Sequence, residues 1–365
     1  MLKTAWRYDH FMHLDKPLLL GLCSLSMIGL IVLYSAGGQN MDVVLGQASR
    51  MAMGFTVMFL IAQLHPHYIA RWVPWIYAAG VILLVLVLVM GNISKGAQRW
   101  LNLGLFRFQP SEMMKLAVPM MVTWFLANRP LPPSPLRLVI AILIALVPML
   151  LIAKQPDLGT ALLVGSAGMF VIFFAGIPWK LIFGAGALLT GAAPVFWYLL
   201  HDYQRKRILV FLDPESEPLG AGYHIVQSKI AVGSGGFYGK GWLNGTQSHL
   251  EFLPESTTDF IFAVFNEEFG MLGVLLLLSI YIFILTRGMY IAMQAQGTFA
   301  RLLSSSLVAT LFVYIFVNMG MVIGLLPVVG VPLPLISYGG TSLVTLMANF
   351  GLLMGIHTHR RLLSN

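Results

Sequence analysis

The sequence predicts an all-α polytopic membrane protein, with about ten transmembrane helices and one large outer loop between the seventh and eighth. Three observations carry that prediction. Only 10% of the 365 residues are charged and 58% are hydrophobic, against roughly 25% and 45–50% in a soluble domain. Mean hydropathy is +0.82, and 23 Phe with 21 Met leave too little polar surface to clothe a water-soluble body. The apolar residues come in continuous runs and not in alternation, which argues against an outer-membrane barrel. Disordered chains are poor in such residues, so disorder is excluded. A single cysteine, Cys23, rules out a disulfide scaffold and a multi-cysteine zinc site. The net charge of +8, on so apolar a chain, points to anionic lipid and membrane orientation before nucleic acid.

A helix crossing the hydrocarbon core needs roughly 20 mostly apolar residues. Taken in order, the candidates run over 17–36, 43–64, 72–90, 110–127, 136–153, 158–176, 179–200, 269–288, 303–325 and 338–356. The first follows Lys3, Arg7 and Lys16 like a signal peptide, but its length and the nine spans after it predict an uncleaved helix. The fourth and fifth carry Pro119 and Pro148. The eighth is expected to start near Phe269, because Glu267 and Glu268 would be costly inside a span. Trp72, Trp75, Trp179 and Trp197 fall near span ends, as an interfacial aromatic belt does. Gly320–Gly324 and Gly351–Gly355 have the spacing of close helix packing. No internal repeat is visible, so the whole of 1–365 reads as one membrane domain, including an outer segment over 201–268 with short amphipathic stretches.

An even number of spans puts both termini on one side. With termini inside, eleven Lys and Arg lie inside and eleven outside, but five of the outer ones fall in 201–268. Long loops do not count toward the positive-inside rule, so the termini are expected in the cytoplasm. Of the fourteen acids, only Asp9 and Asp15 fall inside. Loop composition alone could produce that skew; a polar working surface on the outer face is the sharper reading.

The candidates for chemistry sit there. Asp259 immediately precedes the apolar run Phe260-Ile261-Phe262-Ala263-Val264-Phe265. A carboxylate at the edge of such a surface is desolvated and suits a general base; a helix N-cap is an equal alternative. Glu112 and Lys115 open the fourth span at ion-pair spacing. Asp157 caps the sixth helix or faces a shared cavity. Lys95, Arg99 and Arg107 place three cations in one short outer loop, where an anionic headgroup would explain them. The glycine cluster at 233–241 fits neither a P-loop nor a dinucleotide fingerprint. Beside Lys229 and Lys240 it could cradle a diphosphate through backbone N–H groups, or simply form turns. His357 and His359 read as part of a basic tail on the inner surface.

Several blocks resemble the SEDS family (shape, elongation, division and sporulation): Ser94–Trp100, Phe108-Gln109-Pro110-Ser111-Glu112, Gln155-Pro156-Asp157-Leu158-Gly159-Thr160, Gly220–His224 with Gln227-Ser228-Lys229, Gly233–Gly236, Glu251–Glu255 with Thr258-Asp259-Phe260, and Pro332–Gly340. They occur in order from about 94 to 359. The short inner N-terminus and the stretches Asp202–Arg205 and His357–Arg360 are most similar to the elongation members.

The resemblance implies a ten-span peptidoglycan glycosyltransferase of the bacterial plasma membrane, both termini cytoplasmic. It would polymerise lipid II on the outer face during cell elongation, shape maintenance and division, beside a class B penicillin-binding protein and other elongation-complex proteins. Asp259 matches the family's essential outer-loop acid, Glu112 and Lys115 its paired residues of the fourth span, and Asp157 the acid of its Gln-Pro-Asp motif. Gln109, Ser111, Ser234, Ser337, Gly339 and Gly340 complete the residues expected at substrate. A β-1,4 bond formed from an α-linked undecaprenyl-diphosphate donor inverts the anomeric carbon, so one general base suffices. The departing diphosphate needs positive charge, from Lys95, Arg99, Lys115 and Lys229 or from a divalent ion such as Mg or Mn; no covalent cofactor and no resident metal site is expected. The alternative reading is a lipid II flippase, which makes no bond.

Overall fold

The structure, a computed structural model, describes residues 13–94, 97–102, 107–199, 202–214, 220–249, 253 and 255–359. Ten long helices form the bundle. They are α1 (Lys16–Ala36), α2 (Met41–Ala62), α3 (Pro66–Met90), α4 (Pro110–Ala127), α5 (Pro135–Lys154), α6 (Leu158–Phe174), α7 (Trp179–Leu199), α11 (Ile261–Gln294), α12 (Thr298–Val322) and α13 (Thr341–Thr358). Seven are long and apolar enough to cross a membrane on those grounds alone. The others are α4, with its Glu112 and Lys115, the 17-residue α6, and α7.

Helix starts follow capping chemistry more than hydropathy. Asp15 accepts from Leu18 N at 2.9 Å and Lys16-Pro17 opens α1. The third helix starts at Pro66, six residues before the run at 72, because His65 caps it and Pro66 fits the first turn. Between α3 and α4 the expected plain loop holds three short antiparallel strands, β1 (Asn92–Ser94), β2 (Ala97–Asn102) and β3 (Arg107–Phe108), with Asn92 opposite Trp100 and Leu101 opposite Phe108.

Of the seven helices long and apolar enough to cross a membrane, α12 is the most enclosed, with 72% of its apolar window buried. It packs on α11, α6, α4 and α13, while α13 lies along α2 and α11 along α1. Lipid is as apolar as leucine, so close packing and hydrogen bonds must drive this association. Ser306 of α12 donates to Ala167 O of α6 at 2.7 Å. A Cβ on Gly351 would come within 2.6 Å of Met58 O, so this glycine lets α13 ride on the backbone of α2. The small-residue spacing at 351–355 thus serves α2 and not α12.

The polar segment between α7 and α11 holds α8 (Asp202–Leu212), α9 (Ala221–Ser234) and α10 (Thr246–His249). Here the structure corrects two expectations. The helix containing Glu267 and Glu268 starts at Ile261, not near Phe269, and Gly270 (φ 61°, ψ −161°) breaks it. Both acids are buried and tolerated because they are partnered: Glu267 by Lys240 at 2.7 Å, Glu268 by Ser35. The glycine cluster folds over that break as turns. Lys240 N and Gly241 N donate to Glu267 O and Glu268 O, and Met271 N and Leu272 N donate to Gly236 O and Phe237 O. Its N–H groups at 240 and 241 are therefore committed to the helix and not to a diphosphate. At the opposite end, His13 stacks on His359 with centroids 3.9 Å apart, which puts the first and last described residues on one face.

Candidate active site

Residues 323–340, between α12 and α13, form no helix, yet Val331, Leu333, Leu335, Ile336 and Ser337 are buried. Non-helical backbone at this depth needs hydrogen-bond partners from protein or a lined cavity. Three helices supply them. Asn318 of α12 donates to Val331 O at 2.7 Å, and Tyr281 of α11 to Pro334 O at 2.7 Å. Gln47 of α2 donates to Ser337 O at 3.3 Å and accepts from Gly339 N at 3.2 Å. Gly29 of α1 lets the turn sit on the helix, since a Cβ there would lie 2.5 Å from Leu335 O.

This segment holds Asp259 in place. Ser337 Oγ donates to Thr258 O at 2.5 Å, Tyr338 N to Thr257 O at 2.8 Å, and Asn318 Nδ2 to Asp259 O at 3.0 Å. Asp259 does not cap a helix: the N-cap of α11 is Phe260, without a side-chain cap bond. Its half-buried carboxylate lies beside Gly330, where a Cβ would come 3.4 Å from Oδ2, and ahead of a run in which Phe260 through Phe265 are all buried.

The same segment walls a small cavity of about 40 Å³ with Lys115, Tyr314, Ser342 and Asn349. That is room for a few water-sized groups at most. Lys115 Nζ sits 2.7 Å from Glu112 Oε1, and Ser342 Oγ donates to the same oxygen at 3.0 Å. Tyr314 faces the ammonium at 5.3 Å from its ring centre. Glu112 Oε2, Asn349 Oδ1 and Ser111 Oγ are buried with no partner among the described residues.

A second cluster gathers at the end of α6. Asp157 caps that helix through Thr160 N at 3.2 Å, and its other oxygen lies 3.4 Å from Gln109 Nε2 and 3.6 Å from Arg99 Nη1. Arg99 also donates to Pro156 O at 2.7 Å. Capping and clustering, offered as alternatives by the sequence, occur together. Lys229 is exposed beside Gly324 and makes no ion pair among the described residues. Ser234 turns back to Ala231 O at 2.9 Å. Gly340 lies next to Arg50, whose guanidinium covers the Tyr338 ring at 4.3 Å. Lys95 lies outside the described residues.

Sequence reasoning missed Gln47, Tyr281, Asn318 and Ser342. Gln47 and Asn318 are polar residues inside apolar spans, and that was the signal available for them.

This fold and site define a class: a polytopic bundle in which one buried non-helical segment borders both a pinned carboxylate and a cavity with a buried ion pair. Residues 16–362 match the FTSW_RODA_SPOVE family of cell cycle proteins, and the chain belongs to that family. It is 53% identical to peptidoglycan glycosyltransferase MrdB of Escherichia coli K12, over 99% of this chain and 97% of that one. It is 30% identical to peptidoglycan glycosyltransferase RodA of Treponema pallidum, over 95% and 98%. Among solved structures, the rod shape determining protein RodA of Thermus thermophilus matches with a TM-score of 0.72 and 28% identity, over 95% and 97%. A chain of a peptidoglycan synthase complex that coordinates polymerization and crosslinking matches with a TM-score of 0.82 and 32% identity, over 94% and 97%.

Proposed function

We propose that this protein is a peptidoglycan glycosyltransferase of the bacterial inner membrane that joins lipid II into β-1,4 glycan strands on the outer face, during elongation and maintenance of rod shape. The named activities of its relatives support the reaction class. The observation that carries the mechanism is the placement of Asp259: the backbone at 257–259 is pinned from two elements, the 323–340 segment and α12, while its carboxylate stays at the lip of the apolar run. In this reading Asp259 takes the proton from the acceptor sugar hydroxyl as that oxygen attacks the anomeric carbon from the face opposite the leaving diphosphate. The new bond is β, and the undecaprenyl diphosphate departs with the bonding electron pair.

Charge on that diphosphate falls to Arg99 and Lys229, with Lys115 in the cavity behind. Among the described residues no three His, Cys, Asp or Glu are gathered as a metal cage, so a magnesium or manganese ion would travel with the diphosphate. The site lies at the opposite end of the bundle from His13 and His359, whose end the count of Lys and Arg in short loops predicts to be cytoplasmic. The partner is a class B penicillin-binding transpeptidase, which would cross-link the strands made here.

The test is polymerisation of purified lipid II by the detergent-solubilised protein with its transpeptidase. Asp259→Asn should fold and keep its partner but lose ~10²–10⁴-fold in rate. Near-normal turnover removes Asp259 from the mechanism. If the wild type makes no polymer but scrambles lipid II in liposomes in an Asp259-dependent way, the protein is a transporter instead.

A further inference from the structure

On the face that carries His13 and His359, the first and last described residues, lies a cavity of about 640 Å³ lined by His65, His67, Arg71, Gln296 and His359 with Trp124 at its apolar edge. No Asp or Glu lines it. Arg71 is exposed and makes no ion pair among the described residues, and His65 and His67 are exposed. The starts of two long helices, α3 at Pro66 and α12 at Thr298, open onto it, and α12 has no side-chain cap bond. Cationic and N–H donors with no acid among them suit an anion.

A second pocket shows what kind of anion. An apolar groove of about 370 Å³ climbs the same helices, lined on α3 by Tyr68, Ile69, Trp72 and Ile76 and on α4 by Met113, Leu116, Ala117 and Met120. Polar cavity and groove share α3, where Ala70 and Arg71 line one and Ile69 and Trp72 the other. From Tyr68 to Ile76, the part of α3 that lines the groove, the rise is about 12 Å at 1.5 Å per residue, close to the ~15 Å of one leaflet's hydrocarbon. The pair therefore has the dimensions and polarity of a lipid: a charged head in the cavity and one acyl chain in the groove.

We propose that this is a site for an anionic phospholipid of the leaflet on the side of His13 and His359, its phosphodiester held by Arg71, His65 and His67. Only the naming of that leaflet as cytoplasmic rests on the proposed orientation. The site itself does not depend on the glycosyltransferase reading.

The full-length protein in detergent tests this by native mass spectrometry and thermal unfolding, with phosphatidylglycerol, phosphatidylcholine or inorganic diphosphate added. Wild type should retain and be protected by phosphatidylglycerol but not by phosphatidylcholine. Arg71→Gln should bind about tenfold more weakly, as should His65→Gln/His67→Gln, whereas Lys180→Gln on the same face should not differ from wild type. Lipid II polymerisation serves as a separate readout, so loss of activity and loss of lipid retention are distinguished. Equal retention by wild type and both site variants, or equal weakening by Lys180→Gln, overturns the site. Protection by inorganic diphosphate as strong as that by the lipid overturns the lipid assignment.

Discussion

The Glu112–Lys115 pair permits a prediction whose size follows from its geometry. The charges are 2.7 Å apart and both side chains are 6% exposed. At an effective dielectric of ~20 their attraction is about 6 kcal/mol. Desolvation costs several kcal/mol for each ion, so the intact pair contributes little net. Removing one partner is different, because the survivor stays buried and uncompensated at a cost of about 3–5 kcal/mol. Lys115→Met should fall at the upper end, since Glu112 keeps its charge and its Oε2 already has no partner among the described residues. Glu112→Gln should cost less, because the amide can still accept from Ser342 and Tyr314 remains to face the ammonium. The double variant removes both charges and should recover about 2–3 kcal/mol of the summed losses. Thermal unfolding of the detergent-purified proteins reads this at about 2 °C per kcal/mol for a chain of this size, with lipid II polymerisation measured in parallel. Single losses that add to the double within about 0.5 kcal/mol would show that the two residues act separately.

Three further outcomes are expected. Gly270→Ala should destabilise by several kcal/mol, because φ 61° disfavours a side chain and the new Cβ would lie 2.8 Å from Phe237 O; an unchanged unfolding midpoint would refute the proposed role of the turn. Asn318→Ala should leave the bundle folded but lower turnover at saturating lipid II, since it frees the carbonyls of Asp259 and Val331; full activity would show that Asp259 is held otherwise. Burial holds the His224 imidazole below its ordinary 6.5 against the opposing pull of Glu255. The unfolded chain then binds a proton that the folded one refuses, so stability should fall as pH drops from about 7 through 6.5 and below. His224→Phe should flatten that slope, and an unchanged slope would assign it to other groups.

Sequence and structure divide along physical lines. The number of spans was legible because the bilayer sets a length and a polarity that each span must meet by itself, and local composition reports both. Asp259, Glu112, Lys115 and Asp157 were legible for a related reason: charge near hydrocarbon is costly, so each charged position invites a question. The helix starts at Pro66 and Ile261 were not, because a cap and a broken turn fixed them while the hydropathy changed elsewhere. Nor could the sequence show that Glu267 and Glu268 are buried within a helix, since Lys240 and Ser35, which stabilise them, lie 27 and 233 residues away. The glycines at 233–241 are equally compatible with a phosphate cradle and with turns until the backbone acceptors of residues 267 and 268 are in place. What the sequence determined alone was the membrane class, the span count and the set of costly charges. Tertiary structure alone decided which charges meet, which loops are buried, and that Gln47, Asn318 and Tyr281 hold the segment that positions Asp259, because hydrogen bonds between distant residues leave no local pattern.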